Sequence, residues 1–412
     1  MTLASDDRDL AEYRERARDW LASNMPRVTD PDYHVEQFLS DGQRAKELQH
    51  RLFEGGFAGI CYPREYGGQG LPHEYQRVFT EESLAYEMPL IFNSPTLAIT
   101  GPTLLDYGTE EQKRTYIPRM LSGEHLWVQM LTEPRGGSDL AGVVTRAERD
   151  GDSFVLTGSK IWTTAGYRAD YGLCLARTNW DATKHRGMTM FLLKIDQPAV
   201  EMHRIRMVDG SMEECQEFFN EVEVPVENVL GEIDQGWSLV QTILHHEHNA
   251  ISQGASPYFS GAHILHQWEV DEFDLVDFVR RMGVEQDARP RELVAEQFAN
   301  HVVGQHLAAR LAWGMESGAF GPDASAIARL YEGLQGVRKE QITVELAGNT
   351  MLAWPREDPA TEMYASNWLM RQAHCLGGGS TEMQMNMIAE RVLGMPREFA
   401  ADRDVPFTAV PR

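Results

Sequence analysis

The chain has 412 residues, a length that favours two or three domains over one compact unit. Hydrophobic residues make up 42% and charged residues 24%, enough for a large core without a structural metal or disulfide. The formal net charge of −24, from 38 basic and 62 acidic side chains, argues against general nucleic-acid binding and obliges any anionic ligand to find a local basic patch.

The N-terminal stretch MTLASDDRDLAEYRER is charged and lacks the basic-then-apolar order of a signal peptide. From Leu10 to Leu21 the apolar positions fall near helical spacing, and further helical stretches run around Val35 to Phe53 and Glu74 to Tyr86. Between them the loop YPREYGGQG, Tyr62 to Gly70, carries three glycines and a proline that mark tight turns. A last helix of this region starts at GTEEQK, with Thr109 as N-cap and Gln112 three residues on. Residues 1–125 are therefore expected to form an N-terminal helical domain.

Across 126–232 the pattern turns extended. FVLTGSKIWTTA, YGLCLART, GMTMFLLKI and VEMHRIRMV are rich in β-branched, aromatic and aliphatic residues, with turn residues at short intervals. A β-barrel or sandwich domain is expected there. Helical periodicity resumes at Trp237 and reaches Glu398, broken near Pro290 and near Pro355 and Pro359, so 233–412 reads as a helical domain. No apolar run approaches the roughly 18 residues of a membrane span. The cysteines Cys61, Cys174, Cys215 and Cys375 are far apart with no CxxC pair, as expected of reduced thiols in a cytoplasmic protein.

Four segments carry chemistry. In TEPRGGSDL, Thr132 to Leu140, Gly136 and Gly137 permit close backbone approach to a ligand, and Thr132 and Ser138 offer hydroxyls; a polar turn between strands explains the segment equally well. In GSKIWTTAG the Trp162 indole, beside Thr163 and Thr164, suits a flat aromatic ligand, although an ordinary core Trp is the commoner outcome. In GWSLVQTILHHEHNAISQG, Val240, Ile243, Leu244 and Ile251 share one helical stripe, and Glu247 falls on it. A carboxylate on an apolar face is costly unless paired, protonated or working, and burial would raise its pKa towards that of a general base. A salt bridge to an Arg on a neighbouring helix is the alternative. His245 and His248 lie three apart, but nothing nearby completes a ligand set of the HExxH kind, so no metal is expected. In CLGGGSTEMQMNMIAERVLG, Gly377 to Gly379 precede a helix N-cap at Ser380 or Thr381, which suits polarised oxygen as well as a flexible connector.

Taken together, PREYGGQG, TEPRGGSDL, GSKIWTTAG, VPVENVLGE and GGSTEMQMNMIAERVLG, in this order and at these intervals, resemble the acyl-CoA dehydrogenase family from about Gly55 to Pro396. The resemblance implies a multidomain α+β fold: an N-terminal helical domain, a middle β-domain and a C-terminal four-helix bundle. It implies FAD, with Gln129, Leu131 and Thr132 at the flavin edge, Ser138 at the pyrophosphate and substrate region, Trp162 and Thr164 at the flavin ring, and Ser380 and Glu382 at the adenosine half. The family's most frequent base is a Glu just before the C-terminal Gly-Thr/Ser pair, a place held here by Gly378. A minority, the isovaleryl- and long-chain-type enzymes, supply the carboxylate from another helix, and counting from Gly236-Trp237 that place is Glu247. The implied reaction removes the α-hydrogen of an acyl-CoA as a proton to Glu247 and the β-hydrogen as hydride to flavin, giving a trans-2-enoyl-CoA. The thioester carbonyl is polarised in part by a backbone N–H, here that of Gly378. The family's place in lipid metabolism and β-oxidation implies electron-transferring flavoprotein as acceptor.

The sequence departs from the family in places. Val279 in VRRMG stands where an Arg usually binds the neighbouring subunit's FAD diphosphate, with Arg280 and Arg281 adjacent, and ELAGNTML around Gly348 reduces the usual Gly-rich segment. Arg135 stands where Gly is usual, and His248 where Arg commonly follows the base. Bacterial relatives acting on steroid side chains share some of these departures, and some work as heterotetramers. A homodimer, a homotetramer or a heterotetramer with a related subunit is therefore expected. A flavin monooxygenase or oxidase on the same scaffold is the competing activity, and a subunit that completes a partner's site is the non-enzymatic one.

Overall fold

The computed structural model describes residues 7–28, 42–251, 256–258, 272–352, 359–402 and 404–410. The chain divides into two compact units, one of Met1–Arg206, Met212–Ile264 and Ala401–Arg412, the other of Met207–Ser211 and Leu265–Ala400.

The first unit opens with helices. α1, Asp7–Asn24, buries Tyr13, Ala17 and Leu21, spaced by four so that they share one face. α2, Gly42–Glu54, buries Leu48 and Leu52, and α3, His73–Ser83, buries Val78 and Phe79 against the same cluster. The helix expected over Val35 to Phe53 falls partly outside the described residues, and the one expected to reach Tyr86 stops at Ser83. A π-helical stretch, Asn93–Thr100, runs into α4, Gly101–Tyr107. α5, Glu110–Leu121, begins with the capping box expected at Thr109: the Gln112 N–H donates to Thr109 Oγ1 at 3.2 Å and the Thr109 N–H to Gln112 Oε1 at 3.0 Å. The same Gln112 amide donates to the carbonyls of Glu227 at 2.7 Å and Val229 at 2.9 Å, tying α5 to the end of the strand region.

The strands form one eight-stranded sheet. They are β1 Trp127–Met130, β2 Arg146–Asp150, β3 Ser153–Thr164, β4 Tyr171–Arg177, β5 Met188–Lys194, β6 Val200–Arg204, β7 Glu214–Pro225 and β8 Val229–Leu230. The order is β6-β7-β3-β2-β4-β5-β8, with β1 beside β4 in parallel. Strands β4 and β5 are buried along nearly their whole length and read as continuous apolar runs, because elements cover both their faces. Trp127 of β1 stacks on Tyr171 of β4 at 4.7 Å between ring centroids. Thr96 fastens the π-helical stretch to β1: its Oγ1 accepts from the Trp127 N–H at 2.9 Å and donates to the Trp127 carbonyl at 3.1 Å.

α6, Gly236–Ile251, packs in this first unit. Leu239, Val240 and Ile243 enter the cluster that contains Leu97, Leu104, Leu175 and Met188. Thr242 Oγ1 lies 3.0 Å from Tyr107 Oη and His246 Nε2 lies 2.9 Å from Asp106 Oδ2, both from the end of α4.

The second unit is helical: α7 Glu272–Arg281, α8 Ala288–Glu316, α9 Ser325–Ala347, α10 Pro359–Met370 and α11 Thr381–Met387. Its core joins Leu275, Phe278, Leu293, Ile342, Leu346 and Tyr364. Pro290 sits in the first turn of α8, where a missing N–H costs nothing, and Pro359 opens α10; Pro355 lies outside the described residues. No helix among the described residues is long and apolar enough to cross a membrane.

Within the sheet, Lys160 of β3 is completely buried and pairs with Glu133 at 2.8 Å, itself 3% exposed. The ammonium also donates to the Leu131 carbonyl at 2.9 Å. The Glu133 carboxylate accepts the N–H groups of Val144 at 2.7 Å and Thr145 at 2.9 Å. Both charges are thus paired and hydrogen-bonded, the condition under which burial is tolerable. Replacing the cation alone strands the carboxylate. Lys160→Met is expected to lower stability by about 3–5 kcal/mol, read as the shift in the chemical-denaturation midpoint of the intact protein.

Candidate active site

Two segments of the first unit meet at the buried ion pair. The chain leaves β1 through Leu131 and Thr132, and the Thr132 carbonyl accepts the Ile161 N–H of β3 at 3.0 Å. One residue later β3 bulges. The β3–β7 register shifts between Ile161 and Thr163, and Trp162 takes the left-handed conformation with φ of 65°. Such a backbone is strained for a bulky residue and points to function where it occurs. The bulge turns the Trp162 side chain out of the alternation, leaving it 52% exposed. Trp162 is therefore an aromatic face presented at the sheet, not barrel core.

The neighbours of the bulge are held from below. Thr163 Oγ1 donates to Glu217 Oε2 of β7 at 3.0 Å, and Thr164 Oγ1 to Glu214 Oε1 at 3.0 Å. Glu217 is fully buried and stands directly across from Lys160 in the β3–β7 register. Burial pushes its carboxyl up to about 7, against the pull of the Thr163 hydrogen bond and the Lys160 charge. For Glu133 burial works the same way, but Lys160 and the donors around the carboxylate outweigh it and hold that group below the ordinary range. One ammonium thus serves two buried carboxylates unequally. Burial also raises the thiols of Cys61 and Cys174 to about 12 and that of Cys215 to about 11, which leaves them poor nucleophiles.

Gln129 lies on β1 and is half-buried; its Oε1 is shielded from solvent with no hydrogen-bond partner among the described residues. A buried acceptor in that state calls for a donor from a bound group. Leu131 is buried, Thr132 half-buried, and Ser138 and Thr164 are exposed. Gln129, Leu131, Thr132, Trp162 and Thr164 therefore come together through β1, β3 and the ion pair between them. The orphaned amide oxygen and the outward indole fit a flat, hydrogen-bonding heterocycle such as an isoalloxazine.

Glu247 lies on α6. Leu239, Val240, Ile243 and Ala250 are buried, whereas Leu244 and Glu247 are half-buried. The carboxylate thus stands at the margin of the apolar stripe rather than at its centre. The flanking histidines are engaged locally, His245 with Asn249 at 3.0 Å and His246 with Asp106.

In the second unit, Gly378 and Gly379 have φ of 68° and 97°, two successive left-handed residues that only glycine adopts without strain. The Gly378 carbonyl accepts from the Gln384 amide at 3.0 Å, and Arg329 donates to the carbonyls of His374 and Gly377. Ser380 is the N-cap of α11, its hydroxyl accepting the Met383 N–H at 3.3 Å, and Glu382 is exposed in the first turn.

Residues 7–124 match the family description "Acyl-CoA dehydrogenase, N-terminal domain" and residues 129–221 match "Acyl-CoA dehydrogenase, middle domain". The chain is 30% identical over 398 residues to the acyl-CoA dehydrogenase IpdE1 of Mycobacterium tuberculosis, covering 95% of this chain and 99% of that one. The chain belongs to the acyl-CoA dehydrogenase family. Among solved structures it is similar to one described as the Tcur3481-Tcur3483 steroid ACAD, with a TM-score of 0.75 and 29% identity, covering 97% of this chain and 100% of that chain. It is also similar to the ChsE4-ChsE5 complex from Mycobacterium tuberculosis, with a TM-score of 0.74 and 26% identity over 97% of this chain and 100% of that chain. The helical N-terminal region, central sheet and helical C-terminal region are the acyl-CoA dehydrogenase fold, and this acyl-CoA dehydrogenase is an oxidoreductase of a family whose members are FAD-dependent flavoproteins.

Sequence reasoning overlooked Lys160, Glu133 and Glu217. Lys160 shares the inward parity of Phe154 and Leu156 along β3, a signal that a buried partner was required. Glu217 also carries a pH dependence. Its carboxyl titrates near the ordinary 4.5 when unfolded and near 7 when folded. The stability it contributes is complete below 4.5 and is lost as pH rises through about 7. Glu217→Gln removes that titration while keeping an acceptor for Thr163. Thermal midpoints followed from about pH 5 to about pH 8 are expected to fall less in the variant than in the native protein.

Proposed function

We propose that the chain catalyses FAD-dependent α,β-dehydrogenation of an acyl-CoA thioester to the trans-2-enoyl-CoA, with Glu247 as the base that removes the α-proton. The observation that carries this reading is the pairing of Gly378, where the family's commoner base would stand, with a carboxylate at the margin of the α6 apolar stripe. A half-buried carboxylate reaches a bound thioester on one side while its helix is fixed on the other by Leu239, Val240 and Ile243.

FAD is assigned to Gln129, Leu131, Thr132, Ser138, Trp162 and Thr164; Ser380 and Glu382 are assigned to its adenosine half on the family resemblance alone. When bound it supplies the acceptor for the hydride that leaves the β-carbon. The chain's own residues do the rest. Trp162 would cover one ring face, Thr132 and Thr164 would offer hydroxyls, and the Gln129 Oε1 would accept a hydrogen bond from the bound group. The backbone N–H of Gly378 is the assigned donor to the thioester oxygen, where negative charge develops as the α-proton leaves. Withdrawal of that proton by Glu247 is general-base catalysis, worth about 10²–10⁴ in rate. Glu247→Gln is accordingly expected to retain flavin but lose dehydrogenation by at least about a hundredfold. Near-normal turnover of an acyl-CoA by that variant contradicts the assignment. A monooxygenase or oxidase on the same scaffold has no such dependence on Glu247.

The acyl group is proposed to be bulky and the working form to be an assembly with a related subunit. The similar structures include one described as a steroid ACAD and one described as a complex of two named chains. Val279, in the place of the family's FAD-binding Arg, is buried beside Phe278 in the core of the second unit. Arg280 pairs with Asp277 at 3.0 Å and Arg281 donates to Tyr364 Oη at 3.5 Å. Both adjacent arginines make local contacts of their own. Expressed alone, the chain is expected to purify with little flavin, measured as the ratio of flavin to protein absorbance. A fully flavinated homo-oligomer contradicts the need for a partner.

A further inference from the structure

Arg329 of α9 spends its guanidinium on backbone. It donates to the carbonyl of His374 at 2.8 Å and to that of Gly377. Among the described residues it makes no ion pair, in a chain with 62 acidic side chains. Its Nε is shielded from solvent with no acceptor among those residues. A guanidinium that leaves one N–H unmatched is costly to hold, so the two carbonyl bonds call for a reason beyond charge pairing.

The sequence builds this contact from both sides. α9 carries Gly333 and Gly336 in its interior, where glycine is unfavourable. A Cβ at Gly333 would come within 2.8 Å of the His374 carbonyl oxygen, and one at Gly336 within 2.7 Å of the His374 ring. The two glycines thus let the short helical turn Arg371–Cys375 lie against α9, where Cys375 Sγ donates to the Gly333 carbonyl at 3.5 Å. Arg329 stands one turn before Gly333 on the same face, which brings its guanidinium to Gly377. On the other side Gln384 of α11, 3% exposed, donates to the carbonyls of Gly378 at 3.0 Å and Gly379 at 3.4 Å. A Cβ at Gly379 would stand 2.6 Å from that amide nitrogen. Two side chains therefore hold the peptide planes on either side of Gly378.

We propose that Arg329 is a positioning residue for the thioester: by holding the Gly377 carbonyl it aims the Gly378 N–H at the oxygen where charge develops. The inference rests on the dehydrogenation reading above and deepens it. In a trans peptide the carbonyl and the following N–H share one plane and point opposite ways, so whatever fastens the first aims the second. A cation on the carbonyl also draws electron density from the amide and makes its N–H a stronger donor. A donor stabilises developing charge best when it is aimed before the charge appears. Glycine alone is too free in its backbone to supply that, and the two side chains remove the freedom.

The test reads the thioester carbonyl itself and needs no turnover. A trans-2-enoyl-CoA with an isotopic label at its carbonyl carbon is bound to the assembled, oxidised flavoprotein, and the carbonyl stretch is recorded by infrared difference spectroscopy. The native protein is expected to lower that frequency relative to the free thioester. Arg329→Met keeps an apolar stem and loses the donors; it is expected to lose most of the downshift while keeping flavin and enoyl-CoA affinity. Arg329→Lys keeps the charge and a donor and is expected to fall between the two. In turnover, Arg329→Met is expected to lower kcat by about ten- to a hundredfold with KM little changed. A downshift in Arg329→Met equal to the native one overturns the inference. Loss of flavin or of enoyl-CoA binding in that variant, in place of loss of the downshift, makes Arg329 a structural residue and overturns it equally. Absence of any downshift in the native protein removes the Gly378 donor and the inference with it. Binding of the product involves no proton transfer, so the Glu247 assignment stands or falls separately.

Discussion

A lysine with no exposed surface has to be neutralised where it stands, and in this protein that requirement organises the central sheet. Lys160 sits on β3 one residue before Ile161, whose N–H binds the Thr132 carbonyl, and two before the strained Trp162. Its partner Glu133 follows Thr132 directly and takes the backbone N–H groups of Val144 and Thr145, just before β2. One ion pair therefore fixes the exit of β1, the entry to β2 and the bulge of β3 against one another. Every first-unit residue assigned to the flavin, except Ser138, lies within a few positions of that junction. The pair need not add net stability to do this, since buried pairs seldom do. What it provides is a single permitted arrangement, because any other leaves a charge stranded in the sheet.

The strain at Trp162 makes sense in the same terms. A β-bulge that forces an aromatic residue to positive φ is tolerable only where its surroundings leave no alternative. Thr163 hydrogen-bonded to Glu217, and Thr164 to Glu214, hold the strand on the far side of the bulge. Burial raises the Glu217 carboxyl to about 7, and the Thr163 hydrogen bond and the Lys160 charge only partly offset it. The scaffold of the site is thus sensitive to protonation of Glu217.

Much of the architecture was legible in the residue pattern. The change from helical to alternating periodicity and back, and the capping box at Thr109 and Gln112, are local signals, and the structure follows them. The stripe on α6 was also readable, but its outcome was not. Periodicity put Glu247 in line with Ile243, whereas packing leaves it half-buried, because burial depends on what lies opposite and not on the helix alone. The exposure of Trp162 was out of reach for a related reason. A bulge inverts the in–out alternation of a strand, and nothing in IWTT announces where that inversion falls. The Lys160–Glu133 pair joins positions 27 apart in the chain, so parity hinted at a buried lysine but could not name its partner.

The carboxylate of Glu247 and the glycine loop at Gly378 are proposed to work with a flavin to oxidise an acyl thioester. The most direct measurement is anaerobic mixing of the assembled flavoprotein with straight-chain, branched and steroidal acyl-CoA thioesters while the oxidised-flavin absorbance is recorded. Bleaching by at least one of them, most strongly by a bulky one, with the enoyl thioester as product, is the predicted result. A flavin that stays oxidised with every thioester but reacts with oxygen once reduced by other means would contradict it.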